Sequence, residues 1–290
     1  MANPEATGTE SVPPWRIRGP RLVSDFLSPA VRRVAAALGV DPATVTGTGT
    51  DGRVTREDIA LGGPASELGD EIEPFNNVRK RAAGLLLASK QTSAHTLVIA
   101  RADYSAIEAV RAEARMTYLP FVARAACDAL RAYPLVNSSV DGDALVVHKA
   151  INLGIAVDLD YQGLVVPVVH GADGLRLHAL AAAIRDVASR ARSKKLTVDD
   201  LTGGTFTITN PGASGTWISF PIINQPNVGI VSTDGVSKQV VVDERARLAI
   251  APGGNLCLTF DHRAMDGAYA GAFLEHLREI VETRDWSTEL

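Results

Sequence analysis

Cysteine is nearly absent: Cys127 and Cys257 are the two in 290 residues. They lie too far apart in sequence for a disulfide framework or a paired metal motif. No excess of positive charge exists either, with 29 Lys plus Arg against 33 Asp plus Glu, a net charge of -4 and a pI near 5.9. That balance excludes wholesale nucleic-acid binding through the phosphate backbone. Apolar runs are cut by Pro, Gly or charge well before the roughly 18 residues of a membrane span. The polar stretch at 1–14 lacks the basic-then-apolar order of a secretory signal. A soluble, cytoplasmic protein is expected, with no nucleic-acid and no membrane partner. What remains is ample: 46% hydrophobic and 21% charged residues can bury a proper core, and the length suits two domains.

Residues 1–23, rich in Pro, Gly, Thr and Glu, read as a flexible arm. Ser28-Pro29 then gives an N-cap and a first-turn proline, and Val31, Val34, Ala35 and Leu38 form an apolar stripe that Gly39 stops. With a loop TGTGTDGR and a short helix from Thr55, residues 24–61 make a helical miniature with few side chains to bury, so an exposed face is expected to serve a partner. Residues 62–73 (GPASELGDEIE after Gly62) read as a linker, and 74–290 as one larger domain. Within it helices are expected at 78–89, 104–114, 120–132, 177–191 and 271–281. Strands are expected at 95–104, 152–158, 164–169, 205–209, 227–233, 237–242, 247–251 and 256–260. Strands crowd the second half without strict β-α alternation, which points to a mixed-sheet α/β sandwich rather than a doubly wound fold.

His262 stands out among six histidines because it follows a strand and precedes a helix, in Asp261-His262-Arg263-Ala264-Met265-Asp266-Gly267. Such a residue can reach a cleft; the plainer alternative is a junction histidine with Asp266 as helix N-cap. Thr209 ends an alternating strand before the turn Asn210-Pro211-Gly212, where its hydroxyl could donate to an oxyanion; a Thr-faced strand is the plainer alternative. No P-loop, dinucleotide fingerprint or nucleophile elbow is present. His95, His148 and His170 lack companion ligands at metal spacing, so no metal is expected. Arg32, Arg33, Arg53 and Arg56 put four positive charges on the small domain, either a solvated face or a docking patch.

The sequence resembles the dihydrolipoamide acyltransferases, the core component of 2-oxo acid dehydrogenase complexes. LSPAVRRVAAALGVDPATVTGTGTDGRVTREDI looks like their peripheral subunit-binding domain. SKQTSAH, LPFVARAACDALRAYPLVNSSVD, NLGIAVDLDYQGLVVPVV, KLTVDDLTGGTFTITNPG, PIINQPNVGI and DHRAMDG follow in the order of their catalytic domain. The resemblance implies a chloramphenicol-acetyltransferase-like two-layer mixed-sheet sandwich behind a small all-α domain, assembled as a homotrimer with active sites between subunits. It implies His262 as general base, Thr209 as oxyanion donor and Asp266 as an orienting carboxylate. Acetyl-CoA is the implied co-substrate. The basic residues of the small domain are the implied contact for a dehydrogenase subunit.

Departures from the family pattern shape the expectation further. No lipoyl domain or lipoate-bearing Asp-Lys-Ala lysine is found, so no covalently bound lipoate is expected on this chain. Gly84-Leu85 stands where the family usually shows a basic pair, Ala94-His95 replaces Pro-His, and the tail TRDWSTEL is polar rather than a leucine-rich hook, which suggests a free trimer. These features favour a stand-alone O-acetyltransferase moving acetyl from acetyl-CoA to a hydroxyl of a small metabolite, as in relatives of polyketide, tetronate and other antibiotic biosynthesis. The alternative is a dihydrolipoyl acyltransferase of a dehydrogenase complex that uses a lipoyl domain in trans. A non-catalytic docking scaffold is the third reading.

Overall fold

The computed structural model describes residues 27–61, 73–242 and 245–290. The expected arm and nearly all of the expected linker lie outside those residues. The chain divides into two compact units between Pro74 and Phe75.

In the first unit, the Ser28 hydroxyl accepts from the Val31 N–H at 3.3 Å, and Pro29 opens α1 (Pro29–Leu38). Gly39 ends it at φ 66°, the left-handed conformation that costs glycine nothing. Val31 and Ala35 pack with Val45 and with Ile59 of α2 (Arg56–Leu61). So small a core needs help, and a buried carboxylate supplies it. Asp58 accepts from the Thr48 N–H at 2.9 Å, the Thr48 hydroxyl at 2.6 Å and the Thr55 N–H at 2.7 Å. The Thr55 hydroxyl accepts from the Asp58 N–H in return. This reciprocal cap fastens the TGTGTDGR loop to α2.

The second unit runs α3 (Asn77–Thr92), β1 (His95–Asp103), α4 (Ser105–Arg111), α5 (Tyr118–Ala132), β2 (Ser138–Asp141), β3 (Ala144–Val147) and β4 (Leu153–Ile155). It continues β5 (Val157–Asp158), β6 (Leu164–Val165), β7 (Val168–Val169), α6 (Leu177–Arg192), β8 (Phe206–Thr209) and β9 (Gly229–Thr233). It ends with β10 (Ser237–Val242), β11 (Leu248–Asp261) and α7 (Gly267–Thr283). The main sheet has order β1-β11-β9-β8-β4-β7, with β10 on β11. β8 runs parallel to β4 and β9, and the other pairs are antiparallel. This is the mixed α/β sheet expected from the sequence.

Alternation along β11 assigns the two faces of the sheet. Leu256, Leu258 and Phe260 enter the core with Phe121 and Leu130 of α5 and with Phe273 and Leu277 of α7. Cys257, Thr259 and Asp261 point to the opposite, polar face. Residues 216–225 cross that face. The Ser219 hydroxyl donates to the Ser232 hydroxyl at 2.7 Å, and Asn255 Nδ2 donates to the Trp217 carbonyl at 2.8 Å.

Three local expectations need correction. The run 152–158 breaks at Ala156, where the chain leaves the main sheet and β5 pairs with β6 in a separate ribbon. The run 164–169 breaks at Pro167, which has no N–H for a ladder. Conversely, 247–251 and 256–260 join into the single β11 across Pro252, which faces Lys238 of β10 one residue beyond the end of the β1 pairing. There its carbonyl accepts from the Tyr104 N–H at 2.8 Å, and no ladder partner calls for its missing N–H. The β2–β3 hairpin was not anticipated, although Gly142 at φ 57° marks its turn.

Candidate active site

β11 ends in a bracket that holds the backbone of His262. The Asp261 side chain, 1% exposed, accepts from the Ala94 N–H at 3.1 Å and from the Arg263 N–H at 3.1 Å. The Arg263 guanidinium adds bonds of 2.7 Å from Nη2 and 3.0 Å from Nε. In return, the His262 N–H donates to the Ala94 carbonyl at 2.9 Å. Burial pushes the Asp261 carboxyl up, but the Arg263, Ser93 and Ala94 donors outweigh it and hold the group below the usual carboxylate range.

Behind the bracket stands the SKQTSAH segment. The Ser89 hydroxyl donates to the Ile223 carbonyl at 2.6 Å, and Gln225 Nε2 donates to the Ser93 hydroxyl at 2.8 Å. The Ile223 N–H donates to His95 Nε2 at 3.1 Å. That bond places the His95 proton on Nδ1, 3.0 Å from the Ser93 carbonyl, so His95 is a structural imidazole.

His262 itself projects past the strand end, its side chain 45% exposed and its ring 5.5 Å from that of Phe260. Its Nδ1 lies 4.0 Å from Asp266 Oδ1, too far for a hydrogen bond. Asp266 occupies the N-cap position of α7, yet its carboxylate bonds no helix N–H. Asp266 thus holds the N-cap position without a capping bond, its carboxylate 90% exposed and turned to solvent on the His262 side.

Thr209, half-buried, is the last residue of β8. Gly212 in the following turn lies so close to the backbone of Asp234 and Gly235 that a Cβ would meet it at 2.6 Å. Strand register then separates Thr209 from His262. Thr209 pairs with Ser232 of β9, and Ser232 with Cys257 of β11. From Cys257, Asp261 lies four residues further, roughly 13 Å along the strand, and the two strand spacings add roughly 10 Å across. Within one chain the two residues sit at different ends of the sheet.

On the small unit, Arg32, Arg33, Arg53 and Arg56 are all exposed. Sequence reasoning singled out neither Asp261 and Arg263 nor Asp58, and weighed His95 only as a metal ligand and as a departure from the family pattern. Asp261 and Arg263 were visible within DHRAMDG but carried no role there, since a bracket across 167 residues leaves no local signal.

Residues 67–287 match the catalytic domain of the 2-oxoacid dehydrogenase acyltransferases, and residues 26–60 match the E3-binding domain. This chain belongs to the 2-oxoacid dehydrogenase acyltransferase family. It is an acyltransferase. The lipoamide acyltransferase component of a branched-chain alpha-keto acid dehydrogenase complex from Bacillus subtilis is 33% identical, over 91% of this chain and 72% of its own length. A dihydrolipoyllysine-residue succinyltransferase component from Rickettsia bellii is also 33% identical, over 96% of this chain and 75% of its own. Among solved structures, the cubic core of a pyruvate dehydrogenase multienzyme complex superposes with a TM-score of 0.71 at 31% identity, covering 75% of this chain and 95% of that one. The Azotobacter vinelandii dihydrolipoamide acetyltransferase, solved for the roles of a serine, a histidine and an asparagine in its catalytic mechanism, gives 0.71 at 30% identity over the same shares. Among the described residues, no helix is long and apolar enough to cross a membrane.

Proposed function

We propose that this acyltransferase moves an acyl group between the thiol of a dihydrolipoyl group and the thiol of coenzyme A. The lipoyl group would be presented in trans by a domain other than the two described here. The observation that carries the reading is His262, held by its backbone at a strand end with an exposed ring. With Nδ1 toward Asp266, Nε2 is left to take the proton of the attacking thiol. The thiolate sulfur forms a bond to the thioester carbonyl carbon, the Thr209 hydroxyl donates to the resulting oxyanion, and the proton passes to the departing thiolate. His262, Thr209 and Asp266 would correspond to the histidine, serine and asparagine studied in the Azotobacter enzyme, with a hydroxyl kept at Thr209 and a carboxylate replacing the amide at Asp266.

One chain cannot bring Thr209 and His262 to one carbonyl, because their register keeps them apart. The site would therefore be completed by a second copy, in a homotrimer. Surface apolar groups agree with that assembly. Leu85, Leu86 and Leu87 of α3 are exposed, and so are the cross-strand pairs Val240–Ile250 and Val242–Leu248 on one face of the β10–β11 ribbon. Such patches on a soluble domain mark protein contacts.

The stand-alone O-acetyltransferase reading and its antibiotic-biosynthesis setting gain no support from the relatives, which are components of dehydrogenase complexes. The E3-binding match favours a dehydrogenase subunit as partner of the small unit, with Arg32, Arg33, Arg53 and Arg56 as its exposed cations. The deciding assay offers free dihydrolipoamide and small alcohols against acetyl-CoA, succinyl-CoA and a branched-chain acyl-CoA. Transfer to dihydrolipoamide that His262→Ala abolishes is the expected result; transfer to alcohols alone would overturn it.

A further inference from the structure

We infer that Asp261 and Arg263 form a positioning ion pair that sets both the placement and the proton affinity of His262. The inference rests on reading His262 as the base. Two features of the bracket carry it. Asp261 is the buried end of a crossed pair of bonds, its carboxylate taking the Ala94 N–H while the next residue's N–H returns to the Ala94 carbonyl. The peptide joining Asp261 to His262 is thereby locked to the start of β1, and the histidine can vary only through its own side-chain torsions. The bonds from Arg263 then close the turn on the far side, so the three consecutive residues act as one rigid unit.

The pair also has an electrostatic consequence. The charged groups beside His262 are Asp266, whose Oδ1 lies 4.0 Å from Nδ1, and its two sequence neighbours Asp261 and Arg263, which are paired to each other at 2.7 Å. From β1 the neighbouring titratable group is His95, the register partner of Asp261, held by Ile223 and Ser93. As an ion pair, Asp261 and Arg263 carry no net charge between them. Removing one member leaves a full charge of known sign beside the base.

That sign makes the inference testable. Histidine Cε1–H resonances are followed by NMR against pH in the full-length protein, with His262 assigned by its disappearance in His262→Ala. Acyl transfer from acetyl-CoA to dihydrolipoamide is measured in parallel. In Asp261→Asn the unbalanced guanidinium disfavours the imidazolium, and the titration midpoint and acidic limb of kcat move to lower pH by roughly half a unit. In Arg263→Gln the unbalanced carboxylate moves both to higher pH by a similar amount. The double variant returns the midpoint towards its original value. The single variants lose kcat by roughly tenfold or more through misplacement, with KM for acetyl-CoA changed less than kcat. A purely structural pair would lower the amount of folded protein while leaving the His262 midpoint in place, and unmoved midpoints in both single variants overturn the inference. Full activity in His262→Ala would overturn the base reading instead, a separate outcome.

Discussion

Two aspartates show how environment assigns a role to one residue type. Asp58 is a buried staple, and its three donors outweigh the burial that would raise its carboxyl, lowering it from 3.8 to about 2. A depressed folded value means that stability is present above about pH 4 and is lost as the pH falls towards 2. Hydrogen exchange across residues 29–38 should therefore lose protection in that window. Asp58→Ala should remove about 2 kcal/mol from the small unit at neutral pH, since it deletes several charge-assisted bonds. Asp266, by contrast, is solvated and makes no hydrogen bond to His262, so Asp266→Asn is expected to reduce kcat only a few-fold. Thr209 offers the sharpest residue-level test. Thr209→Ala should cost about 100-fold to 1,000-fold in kcat with little change in KM, while Thr209→Ser, which keeps the hydroxyl, should retain most activity. Equal losses in both variants would show that the methyl group, not the hydroxyl, matters.

Elements succeeded or failed as predictions according to how local their causes were. α1 was legible to the residue because Ser28, Pro29 and Gly39 carry their start and stop signals in their own conformations. α6 was legible because Leu177, Leu180, Ile184 and Val187 repeat on one buried face. β11 was not, because Pro252 stays in the strand only where no neighbour needs its N–H, here just beyond the end of β1, and that is set by pairing with distant segments. The segment after α7 is another such case. Polar in sequence, Trp286–Glu289 nevertheless buries Trp286 to 1% exposure, edge-on to Phe121 of α5 at 5.3 Å. Trp286→Ala should lower the stability of the catalytic unit by about 3–5 kcal/mol, measured by denaturant unfolding, because little around that site can collapse to fill it.

At the scale of the whole molecule the separation of Thr209 from His262 is the consequential feature. A site divided between copies predicts complementation. Trimers of pure His262→Ala or pure Thr209→Ala should be nearly inactive, whereas trimers refolded from a mixture should regain a measurable share of activity. In a mixed trimer some interfaces join an intact His262 to an intact Thr209; sites built within one chain would give no recovery. The sequence by itself determined the family, the acyl-transfer chemistry and the identities of the candidate groups, because motif residues, caps and apolar periods are written in neighbouring positions. Tertiary structure alone decided which groups could act together. Ala94 meets Asp261 and Ile223 meets His95 only after the sheet has formed, and strand register, set by pairing between distant segments, places Thr209 and His262 at different ends of the same sheet.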